Sequence, residues 1–297
     1  MRIIYIDIDT LRADHLGCGG YHRNTSPNID NVAGEGINFK NVYASDVPCL
    51  PSRTALITGM FGIRNGVINH GGRTADLQPE GKDRGFFGRF SMRSWASVFY
   101  LAGWHTASIS SFPFRHGASW WNSGFMESMN LMRGFGGERA DQVVPGALDW
   151  LDRRGKTDDW FLHVHLWDPH TPYRTPEDYG NPFESDAIPS WHTEDVRMAN
   201  WDLSGPHSAQ EPWGFRPDEW GEPPPRQPWN ASSMDAVKQI FDGYDVGIRY
   251  ADDAVGVLLN KLADLDVLED TAVLISSDHG EAFGELGVYA DHQAADE

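Results

Sequence analysis

The segment Cys49-Leu50-Pro51-Ser52-Arg53 combines a thiol, a proline and a guanidinium within five residues. A run with helical character follows it, so we place Cys49 where a loop meets a helix, with Pro51 at the first helical position. The free amides and the positive dipole end of a helix N-terminus favour anions and support a nucleophile. The spacing therefore predicts nucleophilic or anion-binding chemistry at Cys49, against the alternative of a buried, inert thiol.

Polar or ionisable side chains follow four predicted β-strands, at residues 2–8, 104–109, 160–167 and 271–276. These side chains include Asp9, Arg115, His116, Asp168, His170, Asp278 and His279. Helical patterns at 93–102, 140–153 and 233–263 lie between the strands. This alternation indicates an α/β fold with a mainly parallel central sheet and helices on both faces. Ligands of such sheets bind at the carboxyl ends of the strands, so we predict an active site there.

The composition limits the partners of the chain. The 297 residues carry 24 Lys and Arg against 43 Asp and Glu, a formal net charge of −19. A negative field of this size argues against nucleic acid or an anionic membrane as the main partner. A local cluster of Arg, His and metal can still bind a small anion. The two cysteines form no disulfide framework, and we see no membrane span or signal peptide, so we expect a cytoplasmic location.

The stretch at about 174–232 departs from the rest of the pattern. It is rich in Pro and Trp and shows almost no periodicity. A long loop inside a compact domain is usually functional or disordered, and the Trp residues favour packing against the body. We therefore treat residues 1–297 as one catalytic domain that carries an insertion at about 174–232.

Five motifs, in order along the chain, resemble those of the sulfatase family. They are Asp9-Thr10-Leu11-Arg12-Ala13-Asp14, Ser26-Pro27-Asn28-Ile29-Asp30, Cys49-x-Pro51-Ser52-Arg53, Trp167-Asp168-Pro169-His170-Thr171-Pro172-Tyr173 and Ser277-Asp278-His279-Gly280-Glu281. The resemblance implies an alkaline-phosphatase-like fold and a sulfuric ester hydrolase that acts on a small-molecule or glycan sulfate monoester. It also implies conversion of Cys49 to formylglycine, by a formylglycine-generating or an anaerobic maturation enzyme, and one divalent ion, Ca²⁺, Mn²⁺ or Mg²⁺.

The resemblance further implies roles for single residues. The implied metal ligands are Asp9, Asp278 and His279, and the implied catalytic residues are Cys49, Arg53 and His170. Where family residues are missing, we expect Arg115 to bind the anion and His116 to transfer a proton. We expect His292, which lies where many members have a Lys, to bind substrate, and His70 either to line the pocket or to lie in a turn. Oxygen donors suit a hard divalent ion, and the imidazole shifts the preference toward Mn, Zn or Fe over Ca. Asp7 points to the same face of its strand as Asp9, and we assign it a structural or supporting role.

The sequence also departs from the common family pattern. Many sulfatases have two adjacent aspartates at the first metal site and Asp-Asn at the second, where this chain has Asp9-Thr10 and Asp278-His279. This pattern resembles the phosphonate monoester hydrolase and choline sulfatase branches. The usual Gly-Lys-Trp-His is replaced by a segment containing Arg115 and His116, and the usual C-terminal subdomain is missing. Two alternatives therefore stay open: a phosphonate or phosphate ester hydrolase, and an inactive, truncated binding protein.

Overall fold

The computed structural model describes residues 1–77, 94–131, 137–214 and 225–292. The chain forms two compact units. The first unit comprises Met1–Asp9, Phe39–Trp167 and Asp253–His279. The second unit comprises Thr10–Asn38, Asp168–Asp252 and Gly280–Glu297.

The first unit is built on a five-stranded parallel sheet with the strand order β3-β2-β4-β1-β5. The strands are β1 (Arg2–Ile8), β2 (His105–Ile109), β3 (Glu127–Met129), β4 (Trp160–Leu166) and β5 (Thr271–Ser276). The predicted mainly parallel α/β sheet is confirmed. Strands β1 and β5 have the predicted bounds, whereas β2 starts one residue later and β4 ends one residue earlier than predicted. The short strand β3 was not predicted.

The helices in chain order are α1 (Pro27–Glu35), α2 (Cys49–Thr58), α3 (Gly62–Asn65), α4 (Trp95–Leu101), α5 (Phe112–Arg115), α6 (Ala140–Arg154), α7 (Glu194–Trp201) and α8 (Met234–Asp264). The helices predicted at 140–153 and 233–263 are α6, which ends one residue later than predicted, and α8, which begins and ends one residue later. The helix predicted at 93–102 is α4, and Arg93 lies outside the described residues. No helix among the described residues has the length and apolar character needed to cross a membrane.

Helices cover opposite faces of the sheet. Trp95 of α4 packs against Phe161 of β4, with ring centroids 4.7 Å apart. Trp150 of α6 packs against Trp160, at 5.4 Å. Because neighbouring residues of a strand point to opposite faces, α4 and α6 lie on different sides of β4. The prediction of helices on both faces is therefore confirmed.

The second unit packs around the first part of α8 and a buried ion cluster. Phe241 and Tyr244 of α8 contact Phe283, at ring-centroid distances of 5.0 and 4.6 Å. Arg23 is buried and pairs with Asp245 at 2.8 Å and with Asp242 at 2.9 Å. We call Arg23, Asp242 and Asp245, with their partners His15, Tyr21 and Lys238, the Arg23 cluster.

The described part of the Pro- and Trp-rich stretch has a secondary-structure element that we did not predict. It contains α7, which Thr193 caps by accepting a hydrogen bond from the amide of Val196. Trp213 is buried and packs against Trp229 of the same stretch at 5.0 Å, and Trp191, although 43% exposed, contacts Phe241 of α8 at 6.2 Å. Trp220 lies outside the described residues. The prediction of a single domain over 1–297 with an insertion stays a prediction.

Candidate active site

Cys49 is the first residue of α2 and is 1% exposed. Its Sγ lies 3.2 Å from Nε2 of His279 and 3.9 Å from Oδ1 of Asp9. The predicted loop-to-helix junction at Cys49 is confirmed. Pro51, however, is the third residue of α2 and not the first, because the helix begins at Cys49 itself.

Two carboxylates reach the site from β1. Asp7 is the next-to-last residue of the strand, and Asp9 follows its end directly. Both side chains are fully buried on one face of the strand, since residues two apart point to the same side. Asp7 is aligned with His165 of β4 on one side and with Ser276 of β5 on the other.

Arg53 lies at the centre of these carboxylates. Its Nε donates to Oδ2 of Asp7 at 2.8 Å, and its Nη2 donates to Oδ1 of Asp7 at 3.1 Å. Its Nη1 donates to Oδ2 of Asp9 at 2.9 Å and also to Oδ2 of Asp278. We call Arg53, Asp7, Asp9 and Asp278 the Arg53 cluster. All four side chains are buried.

Two carboxylates of this cluster, Asp9 and Asp278, also belong to a group of donor atoms that fits a divalent metal ion. Asp9, Cys49, Asp278 and His279 each offer a donor atom, and these four atoms lie within 4.8 Å of one another. Two carboxylates and an imidazole form a set that Mn²⁺ and related ions accept. The charge also fits, because the three carboxylates of the Arg53 cluster share one guanidinium, which balances only one of three negative charges. The three predicted metal ligands therefore converge, as their strand-end positions indicated.

Burial and the closely spaced carboxylates shift the pKa values of Cys49, Asp278 and Asp7. Burial, followed by the charges of Asp9 and Asp278, raises the pKa of the Cys49 thiol well above its usual value. Burial and the charge of Asp9 also raise the pKa of Asp278 to about 6, although Arg53 opposes them. Burial would raise the pKa of Asp7 as well, but Arg53 and His163 outweigh it and the pKa falls below its usual range. Unmodified Cys49 is therefore a thiol, the less nucleophilic form, at neutral pH.

Two of the predicted residues, His70 and His116, lie beside Cys49. Donor atoms of Cys49, His70 and His116 lie within 4.8 Å of one another, and the two imidazole rings are 4.7 Å apart. Nε2 of His70 accepts a hydrogen bond from the amide of Leu50 at 3.3 Å. Burial, then His70 and Arg115, lower the pKa of His116 to about 2. His116 is therefore neutral at physiological pH, and its surroundings disfavour protonation of the ring.

Arg115 is exposed at the end of α5, and its guanidinium stacks 5.1 Å above the ring of Trp167. Its charge lowers the pKa of Cys49, in opposition to the larger effects of burial and the carboxylates. A guanidinium in this position can attract an anion to Cys49. The structure thus brings Cys49, Arg53, His70, Arg115 and His116 together in the first unit.

His170 and His292 belong to the second unit and lie together there, with ring centroids 4.6 Å apart. Nδ1 of His292 is 3.8 Å from Oε2 of Glu281. Glu281 also accepts a hydrogen bond from the hydroxyl of Tyr173 at 2.6 Å. The roles predicted for His170 and His292 stay predictions.

The sequence analysis missed the two histidines of β4. His163 lies 3.5 Å from Oδ2 of Asp7, and Nε2 of His165 is 2.9 Å from Nη2 of Arg53. On their other sides His163 contacts Ser108, and His165 contacts Ser110. The signal was present, because two histidines at alternate positions of an apolar strand must share one face of the sheet.

The amino-acid sequence of the chain is similar to those of known sulfatases. The family model described as Sulfatase matches residues 2–297. Human iduronate 2-sulfatase is 26% identical over 330 residues, which cover 100% of this chain and 58% of that protein. The chain thus spans little more than half the length of this relative.

Two solved structures share the fold at 18% identity. One protein, solved in complex with its substrate D-glucosamine-2-N,6-O-disulfate, has a TM-score of 0.72 over 97% of this chain and 67% of its own. The phosphonate monoester hydrolase of Agrobacterium radiobacter has a TM-score of 0.67 over 95% of this chain and 63% of its own. These likenesses support an alkaline-phosphatase-like fold.

Proposed function

The chain belongs to the sulfatase family, and from that premise we propose that it hydrolyses a sulfate monoester through a formylglycine formed from Cys49. The observation that carries the proposal is the position of Cys49, buried at the start of α2 between Asp9 and His279. A thiol with a raised pKa is a poor nucleophile. Conversion to an aldehyde hydrate gives this position a reactive hydroxyl.

In the proposed reaction, one hydroxyl of the residue 49 hydrate releases its proton to water, and its oxygen attacks sulfur. The bond between sulfur and the alcohol oxygen breaks, and the alcohol leaves with a proton that we assign to His170 on the family resemblance alone. The second hydroxyl gives its proton to His116, a role that we keep from the sequence prediction; the bond between Cβ and the sulfate oxygen breaks, and the aldehyde re-forms with release of sulfate. Water then restores the hydrate, so no external nucleophile has to cleave the intermediate.

Asp9, Asp278 and His279 would hold one divalent ion, for which Mn²⁺, Ca²⁺ and Mg²⁺ are the candidates. When bound, this ion supplies positive charge that stabilises the oxygens of the transferred group. Arg53 holds Asp9 and Asp278 in place and adds its own positive charge beside residue 49. Arg115 and His70 attract the sulfate group toward the site, and His292 stays a candidate for this role on the resemblance alone.

For the substrate class we propose a sulfated sugar. The named relative acts on iduronate 2-sulfate groups, and one structure of the same fold contains a glucosamine disulfate as its substrate. Arg115, which is exposed and stacks on the buried ring of Trp167, offers a cation near Cys49. Guanidinium groups bind sulfate. The maturation partner is a formylglycine-generating or anaerobic enzyme.

A phosphonate or phosphate ester hydrolase is the second candidate. The phosphonate monoester hydrolase of A. radiobacter shares the fold, and His279 places a nitrogen donor among the proposed metal ligands. Both substrate classes present tetrahedral oxyanions of similar size. An inactive binding protein is the third candidate. It predicts that the chain hydrolyses neither ester.

The test compares an aryl sulfate with an aryl phosphonate of the same leaving group. The chain is produced with a maturation enzyme, stripped with a chelator and reloaded with Mn²⁺ or Ca²⁺. We expect turnover of the sulfate only after metal is restored. Faster turnover of the phosphonate would favour the second candidate, and no turnover of either ester by a converted, metal-loaded chain would favour the binding protein.

A further inference from the structure

Asp7 differs from the other carboxylates of the Arg53 cluster in how it contacts the guanidinium. Both of its oxygens are engaged, Oδ2 with Nε and Oδ1 with Nη2. Asp9 and Asp278 both bond to the remaining nitrogen, Nη1. Asp7 also stands apart from the group of donor atoms formed by Asp9, Cys49, Asp278 and His279.

A paired contact of this kind fixes the plane of a guanidinium, whereas a contact through one nitrogen leaves it free to turn. Arg53 has two further contacts: its Cζ lies 4.9 Å from the centre of the Phe112 ring, and its Nη2 lies 2.9 Å from Nε2 of His165. Nε2 of His163 lies 3.5 Å from Oδ2 of Asp7. Because Asp7 engages both Nε and Nη2, only Nη1 is directed toward Asp9 and Asp278.

We propose that Asp7 is a positioning residue that limits Arg53 to contacts through Nη1 with the metal ligands Asp9 and Asp278, and so keeps the other oxygen of each carboxylate available to a divalent ion. The proposal rests on the proposed function, in which these two carboxylates bind metal. Without the Asp7 carboxylate, Arg53 turns toward Asp9 and Asp278 and forms with one of them the paired contact that it now forms with Asp7. The guanidinium then competes with the ion for the same oxygens, and metal binding weakens.

The test is a double-mutant cycle on Mn²⁺ binding, measured by calorimetry on the metal-stripped chain. We expect Asp7→Asn to weaken Mn²⁺ binding about tenfold when Arg53 is present. In an Arg53→Met background the same change has less than about a threefold effect, because only the loss of a nearby charge remains. Equal effects in both backgrounds would show that Asp7 acts by its charge alone and would overturn the proposal.

Two further variants keep the test decisive if Arg53→Met does not fold. Asp7→Glu retains the charge but moves the carboxylate by one methylene, so we expect weaker Mn²⁺ binding from misplacement of Arg53. Unchanged binding in Asp7→Glu contradicts the proposal. The matched control is Asp14→Asn, since Asp14 makes the same paired contact with Arg12 at an exposed position. We expect this control to bind Mn²⁺ like the wild type.

The outcomes also separate this inference from the proposed function. A wild-type chain that binds no Mn²⁺, Ca²⁺ or Mg²⁺ contradicts the metal site itself and overturns both. A wild-type chain that binds Mn²⁺ with an affinity that Asp7→Asn leaves unchanged overturns only the positioning role of Asp7.

Discussion

Two buried arginines, one in each unit, organise carboxylates in different ways. Arg53 in the first unit is shared by three carboxylates, so its charge balances one of them. Arg23 in the second unit pairs with two carboxylates, and Lys238 also pairs with one of these, Asp242. The Arg23 cluster is therefore balanced in charge, with two cations and two anions.

The other donors of the two arginines show the same difference. The remaining contacts of Arg23 go to the backbone carbonyls of Ala187 and Asp186. Arg53 makes no backbone contact among the described hydrogen bonds, and all its donors face side chains at the strand ends. A balanced, backbone-anchored cluster is typical of a structural role, whereas an excess of buried carboxylate favours binding of a cation.

The largest difference should lie in the chemistry of the two cysteines. Cys49 adjoins the Arg53 cluster, whereas Cys18 lies in the second unit. In a converted chain we expect Cys49→Ser to lower sulfate ester turnover about a thousandfold or more with the fold retained. Cys18→Ser should leave turnover within about twofold. Steady-state rates and far-UV circular dichroism measure both, and a fully active Cys49→Ser chain would refute the formylglycine mechanism.

Disrupting the Arg23 cluster should lower the free energy of unfolding and leave metal binding unchanged. Asp245→Asn leaves Arg23 and His15 without their shared carboxylate in a buried setting. We expect the free energy of unfolding to fall by about 3–5 kcal/mol. Urea unfolding measures this loss, and metal content of the folded chain should not change. Loss of bound metal in a folded Asp245→Asn chain would contradict the separation of roles.

The Arg53 cluster, in which one guanidinium is shared by three carboxylates, should make the stability of the metal-free chain depend on pH. The folded chain holds the Asp278 proton up to its pKa of about 6, whereas the unfolded chain releases it near 3.8. The contribution of this group to stability therefore decreases as pH rises from about 4 to about 6, by on the order of 2 kcal/mol. Urea unfolding at several pH values, with Asp278→Asn as the control, measures it. Identical pH profiles for the two chains would show that Asp278 does not carry the raised pKa.

The smallest effect is expected at the edge of the balanced cluster. Lys238 is 30% exposed and pairs with Asp242 four residues further along α8. Exposed pairs of this type contribute little, so Lys238→Ala should lower the free energy of unfolding by less than about 1 kcal/mol. A loss as large as that of Asp245→Asn would mean that Lys238 is essential to the balance and not peripheral.

The strand-end residues could be predicted from sequence because a parallel sheet brings its carboxyl ends to one edge. Asp9 directly follows β1, and Asp278 and His279 come after β5 with only Ser277 between, so the apolar runs before them identified those strands. Cys49 required a different signal, the spacing to Pro51 and Arg53. Local pattern therefore established which residues meet, although it placed Pro51 two positions too early in the helix.

The partners of Arg53 could not be predicted, because they depend on strand register and on a long-range contact. Alternation showed that Asp7 and Asp9 share a face, but pairing of Asp7 with His165 follows from the register of β1 and β4. Strand β3 is three residues long and mostly polar, so it is too short to show the alternation of polar and apolar residues that identifies a strand. Helix α7 escaped notice because its capping residue lies within a stretch dominated by Pro and Trp.

Metal stoichiometry tests most directly the claim that the Arg53 cluster and not the Arg23 cluster is built for a cation. The wild-type chain, Asp278→Ala and Asp245→Asn are each stripped, incubated with Mn²⁺, desalted and assayed for bound metal and protein. The account predicts a single bound Mn²⁺ in the wild type and in Asp245→Asn, and none in Asp278→Ala with unchanged far-UV circular dichroism. Stoichiometric Mn²⁺ in the Asp278→Ala chain would contradict it.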